Sequence, residues 1–330
     1  MALTEAARTI GTSPRDSASP FLPIRLGQLY PTNFLPFDLY LKWNGGGKPV
    51  LYRGKTVPLE RGDLDRLTER GVDTLYVAGK DWGAFLKYLR YDVATNVEVP
   101  LGVRHRALRE AAWEDFEDAS EAQDLNGIVH FATEFGAEMV DLLTSVDFVF
   151  QELFRQMEHD LQEYTHAINV CTYSVLLANR LNRFGRNDLA ALAAGGILHD
   201  IGKRYIHLDA STKPNRLTDE QRAVINQHPH AGFAKLRMRK DVEWGQLMMV
   251  YQHHERCNGQ GFPVRSIGDE IHEWARICSV ADGFHMLTAH RPYCKTPTIA
   301  EAVESLEEQA GRLYDTEMAK CWIELVSAQH

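Results

Sequence analysis

The sequence predicts a small α+β module followed by an all-α bundle. Three observations carry that expectation. Short β-like runs broken by turns occur only before residue 98, helical spacing dominates from residue 100 onward, and eleven of the fourteen histidines fall between His159 and His290. At 330 residues, 44% hydrophobic and 25% charged, the chain is long enough for two domains.

Residues 1–20, rich in Ala, Ser and Thr, read as a flexible tail. Residues 21–98 read as the α+β module, with a regulatory or dimerisation role. Its strands are expected at 39–42, 50–53 and 74–77, the first two joined by the turn Asn44-Gly45-Gly46-Gly47. A helix over 59–70 is expected to end at Gly71, which can take the left-handed cap conformation. Residues 99–148 read as a helical connector whose acidic stretch, 110–121, is a solvated face.

Residues 149–330 form the all-α domain. A continuous helix is expected over 151–184, and Asn187 or Asp188 can cap the next helix, whose run 189–198 is apolar enough to be buried on most sides. The sequence Thr218-Asp219-Glu220-Gln221 is a capping box opening a helix over 219–228, and Pro229 suits the first position of the following one. Helices over 242–253 and 271–289 complete the domain.

Composition narrows the function. The net charge is −9, which argues against a broad DNA- or RNA-binding surface. The excess is segregated, however: residues 199–295 carry fourteen Lys and Arg against eleven Asp and Glu, whereas residues 1–150 carry sixteen against twenty-two. A small phosphate ligand is therefore compatible with the second half. Five scattered cysteines without a C-x-x-C pair do not read as a disulfide framework or thiolate zinc site. With no apolar run of about 20 residues and no hydrophobic N-terminal segment, the expectation is no membrane span and a cytoplasmic location.

The chemistry concentrates where the apolar run 189–198 ends directly in His199-Asp200. A desolvated Asp needs a strong partner, and a metal ion is one. His166 lies inside a helical stretch, His228 at an expected helix end, His253 and His254 at another, and Asp282 within an apolar-flanked run. Five His and two Asp on separate helices suit a pair of first-row divalent ions.

These residues sit in motifs that resemble the HD-GYP subgroup of the HD phosphohydrolase superfamily. The motifs are Leu198-His199-Asp200-Ile201-Gly202-Lys203, His228-Pro229, His253-His254-Glu255-Arg256 running into Asn258-Gly259-Gln260-Gly261-Phe262-Pro263, and Val280-Ala281-Asp282 with Arg291-Pro292-Tyr293. The resemblance implies an HD-type helical bundle and hydrolysis of cyclic di-GMP to linear pGpG, with GMP as a further product, by a hydroxide activated at two metals. It assigns His166, His199 and Asp282 to one metal and His228, His253 and His254 to the other, with Asp200 bridging. Iron or manganese is implied. A third metal in some relatives uses a Glu where this chain has Gln162, beside Glu163, so two metals are expected. The resemblance also gives Lys203 a contact to the scissile phosphate, Arg291 a nucleotide contact, and Gly261, Phe262 and Pro263 a place in the substrate loop.

The chain departs from the subgroup at four positions. Phe262 replaces Tyr, at a cost of about 0.5–1.5 kcal/mol if the hydroxyl bonded the substrate. Asn258, His285 and His290 stand where Asp is usual, and His285 shares a helical face with Asp282. The metal positions are complete, which favours an active enzyme. The sequence leaves open another cyclic nucleotide as substrate, or a non-catalytic receptor that contacts diguanylate cyclase domains, and homodimerisation through the N-terminal half.

Overall fold

The computed structural model describes residues 20–31, 34–42, 48–145, 148–160, 162–206, 217–290 and 295–328. The expected tail up to residue 19, the turn at Asn44–Gly47, and Arg291, Pro292 and Tyr293 lie outside those residues. The chain divides into two compact units, Met1–Glu114 and Asp115–His330.

The first unit is built on a four-stranded antiparallel sheet in the order β1-β4-β2-β3. The strands are β1 (Phe21–Arg25), β2 (Leu39–Leu41), β3 (Val50–Arg53) and β4 (Thr74–Ala78). Three of them fall where expected. The fourth, β1, carries Pro23, a residue that weakens a strand signal but is tolerated at a sheet edge, and β1 is an edge strand. Leu22 and Ile24 alternate inward from it, and Leu75 and Val77 do so from β4. Helix α1 (Arg61–Glu69) opens with the Asp63 carboxylate accepting the Glu60 N–H at 2.9 Å. It ends at Gly71, which takes φ +70° as the sequence predicts. Helix α2 (Trp82–Lys87) follows β4.

The unit boundary falls within α3 (Leu101–Glu121), and from there the structure is helical: α4 (Leu125–Leu143), α5 (Phe150–Gln156), α6 (Glu163–Leu181), α7 (Arg186–Leu198), α8 (Asp219–Ile225), α9 (His228–Leu236), α10 (Trp244–Gln252), α11 (Glu273–Thr288), α12 (Ile299–Gln309) and α13 (Thr316–Ser327). Helix α7 is the core element, packed by α4, α6 and α10. A Cβ on Gly196 would stand 2.9 Å from the Cα of Cys171, so α6 and α7 approach backbone to backbone. No described helix is long and apolar enough to cross a membrane.

Four expectations are corrected. The helix over 151–184 is two helices, because the Asp160 carboxylate accepts the Gln162 N–H at 3.0 Å and Asn169 donates to the Glu158 carbonyl at 2.7 Å, fixing a turn between them. The cap of α7 is Gly185, and Asp188 sits three residues in, accepting the Gly185 N–H at 3.0 Å. The Thr218–Gln221 capping box forms, but α8 stops at Ile225, and His228 begins α9 rather than ending α8. Pro229 lacks an N–H to continue α8 and suits the first turn of a new helix. Finally, α12 and α13 extend the bundle past α11, burying Leu306, Met318 and Trp322.

Candidate metal centre

Five elements deliver the seven predicted ligands. The first turn of α6 carries His166, and the C-terminal end of α7 carries His199 and Asp200. The start of α9 carries His228, the end of α10 carries His253 and His254, and the middle of α11 carries Asp282. Close packing holds them in register: a Cβ on Gly202 would stand 1.8 Å from the His228 carbonyl oxygen, so the 3₁₀ turn after Asp200 lies directly on α9.

The side chains converge in two sets able to hold an ion, His166 with His199 and Asp282, and Asp200 with His228, His253 and His254. Asp200 faces both. Its Oδ2 lies 3.2 Å from His166 Nε2 and 3.4 Å from His199 Nε2, and its Oδ1 lies 3.1 Å from His228 Nε2 and 3.7 Å from His253 Nε2. Asp282 Oδ1 lies 3.6 Å from His166 Nε2.

The outer ring nitrogens decide which atoms face inward. His199 Nδ1 donates to the Gly196 carbonyl at 2.7 Å, His228 Nδ1 to that of Ile225 at 2.8 Å, and His253 Nδ1 to that of Met249 at 2.9 Å. A carbonyl only accepts, so each Nδ1 carries a proton and each ring turns its Nε2 inward, bare wherever the ring is neutral. As neutral rings, His228 and His253 oppose lone pairs at 3.2 Å, beside the buried Oδ1 of Asp200, which has no hydrogen-bond donor among the described residues. His166 and His199 meet through Nε2 at 3.1 Å.

Protonation of His253 or His254 does not relieve the second set. Burial, with neighbouring His199 and His228, pushes His253 down to about 4, and burial beside His253 pushes His254 well below the usual histidine range. In the first set burial opposes a charge on His199, but Asp200 and Asp282 outweigh it and hold that ring up. Burial likewise opposes ionisation of Asp200 and Asp282. His199 and Lys203 hold Asp200 well below the usual carboxylate range, and His166 and His199 hold Asp282 down. Nitrogens converging on ionised carboxylates could hold a cation, and the donor set fits a divalent metal.

Of the predicted substrate residues, Lys203 and Phe262 stand beside the ligand set. Lys203 Nζ donates to Asp200 Oδ2 while its side chain stays half exposed. The Phe262 ring lies 4.7 Å from that of His254. Gly261 has no room for a Cβ, which would stand 2.4 Å from the Glu255 Cα. The segment after Pro263 is tied down by Glu255, whose Oε1 accepts the N–H groups of Val264 at 2.7 Å and Arg265 at 3.0 Å. At the variant position, Asn258 Oδ1 accepts the Gln260 N–H at 3.0 Å, a turn that an Asp would also make. Arg291 lies outside the described residues.

Two contacts beside the centre escape a reading of spacing alone. Arg204 pairs with Glu163 at 2.7 Å, occupying the carboxylate beside Gln162. His285 is buried behind His166, Nδ1 to Nδ1 at 2.9 Å, where it cannot meet a phosphate arriving from solvent. Burial pushes it down to about 3.

A family model described as an HD domain matches residues 152–318. A cyclic di-GMP phosphodiesterase of Pseudomonas aeruginosa is 28% identical over 302 residues, 84% of this chain and 70% of that protein. A cyclic di-GMP phosphodiesterase response regulator of Xanthomonas campestris is 38% identical over 142 residues, 42% of this chain and 37% of that one. Among solved structures, a protein of Bdellovibrio bacteriovorus described as HDG"Y"P shares the fold, with a TM-score of 0.62 at 20% identity over 93% of this chain and all of that one.

Proposed function

This chain belongs to the HD domain family, and from that membership and the geometry of its site we propose that it hydrolyses cyclic di-GMP to linear pGpG, with GMP as a further product. One observation carries the reading: Asp200 turns one carboxylate oxygen to each of two sets of inward-facing histidine nitrogens. His166, His199 and Asp282 would hold one divalent ion, His228, His253 and His254 the other, and Asp200 would bridge them. The absence of thiolate from the set favours iron or manganese. The pairing of Glu163 with Arg204 favours two ions rather than three. When bound, such ions lower the pKa of water and offset negative charge on a phosphodiester.

The chain's own residues supply the rest. The buried Asp200 and Asp282 stay ionised, so the histidines are oriented around fixed negative charge. Lys203, half exposed beside Asp200, can reach a phosphoryl oxygen and steady charge as it grows on the leaving oxygen. Phe262 stands beside His254, and Gly261, Phe262 and Pro263 would border the nucleotide, as would Arg291. For residues 21–98 we propose a regulatory or dimerisation role.

Protein loaded with Fe(II) or Mn(II) under reducing conditions is expected to convert cyclic di-GMP to pGpG on anion-exchange chromatography, and the paired substitution His199→Ala and Asp200→Ala to abolish conversion. A metal-loaded wild type that binds the nucleotide without cleaving it would replace the enzyme reading with a receptor.

A further inference from the structure

Three histidines of the centre rest their outer nitrogen on a backbone carbonyl, and their positions explain why. His199 and His253 sit at helix C-terminal ends and use carbonyls of the last turn, while His228 uses Ile225 at the end of α8. Carbonyls are left without intrahelical partners there. His166 has no such resource. It lies in the first turn of α6, where the spare backbone groups are N–H donors and its own N–H already bonds the Gln162 carbonyl. A side chain from another helix takes the role: His285, one turn beyond Asp282 on α11, places its Nδ1 2.9 Å from His166 Nδ1.

We infer that His285 is a positioning residue that accepts the Nδ1–H of His166 and so aims the His166 Nε2 lone pair into the first metal set. The inference rests on the metal reading above. With Nε2 of His166 facing the ion, its proton must be on Nδ1, so His285 Nδ1 must be the acceptor and carry its own proton on Nε2. That Nε2 is buried and has no hydrogen-bond partner among the described residues. An apolar side chain would fill the space without leaving such a group. Buried donors without partners are rare, and the acceptor on the other side of the ring gives a reason for this one. The opposite tautomer would place an N–H of His166 against the nitrogen of His199 and the carboxylate of Asp200, closing the set to a cation.

The test compares wild type, His285→Phe and His285→Asn, each first shown by circular dichroism to be folded. Asn puts Oδ1 as far from the backbone as Nδ1 of His, keeping an acceptor, whereas Phe keeps the ring and removes it. Elemental analysis after dialysis is expected to find two metals per chain in wild type and His285→Asn and one in His285→Phe. Chelator competition should show the lost ion weakened by about 10–100-fold. In zinc-loaded, ¹⁵N-histidine-labelled wild type, His285 should show protonated Nε2 and His166 protonated Nδ1. Unchanged affinity in His285→Phe, equal loss in both variants, or a proton on His285 Nδ1 would overturn the inference. A wild type that takes up no metal would overturn the metal reading along with it.

Discussion

A neutral imidazole that gives its Nδ1 proton to a carbonyl has only a lone pair on Nε2, and two such nitrogens 3.2 Å apart repel unless something positive lies near them. His228 and His253 are in that position. The pH dependence of the metal-free chain follows. A histidine whose folded pKa is lowered contributes full stability above its unfolded value of 6.5 and loses it as pH falls toward the folded value. His253, His254 and His285 are lowered, and only His199 of the centre is raised, acting in the opposite sense. Urea unfolding of the chelated protein is therefore expected to show stability falling between pH 6.5 and 4; a flat or rising profile would contradict the neutral assignments. The Phe262 rim gives a second expectation. Phe262→Tyr adds one hydrogen-bonding group beside His254, worth about 0.5–1.5 kcal/mol, so kcat/KM for cyclic di-GMP should rise by at most about tenfold. A gain of two orders of magnitude would show that the missing hydroxyl matters far more than this geometry allows.

At the scale of elements, the site depends on helix ends meeting at close range. Gly202→Ala would drive a Cβ into the His228 carbonyl and force the turn after Asp200 away from α9. The expected cost is about 1–3 kcal/mol in urea unfolding, with loss of the ion held by the His228 set. Retention of two ions at unchanged stability would show that this contact does not set the spacing. Local signals made much of the architecture legible beforehand: the Thr218–Gln221 box, Gly71 and Pro229 act through backbone geometry within a few residues. What the sequence concealed depends on distant partners. The break before α6 involves Asn169 reaching back to Glu158, β1 is stable because β4 lies beside Pro23, and α13 matters because Trp322 fills a space among Phe150, Tyr173 and Phe284. The seven candidate ligands were legible as chemistry distributed over five helices. Their pairing across Asp200, and the contact of His285 with His166, required the folded chain.

Across the whole molecule, charge and chemistry are segregated in the same sense. The acidic excess behind the net −9 lies outside residues 199–295, which carry a surplus of three positive charges and six of the seven candidate ligands. Among the described residues the two sets able to hold an ion both lie in the second unit, within the span matched by the HD domain model. A chain of this overall sign can attract a small dianionic nucleotide to one region without presenting a broad polyanion-binding surface. The most direct measurement is the number of ions that region holds, counted by elemental analysis of protein purified anaerobically with iron or manganese. Two per chain is the expected result, falling when Asp200 is replaced by Ala. Three per chain, or none, would contradict a centre built from these seven residues.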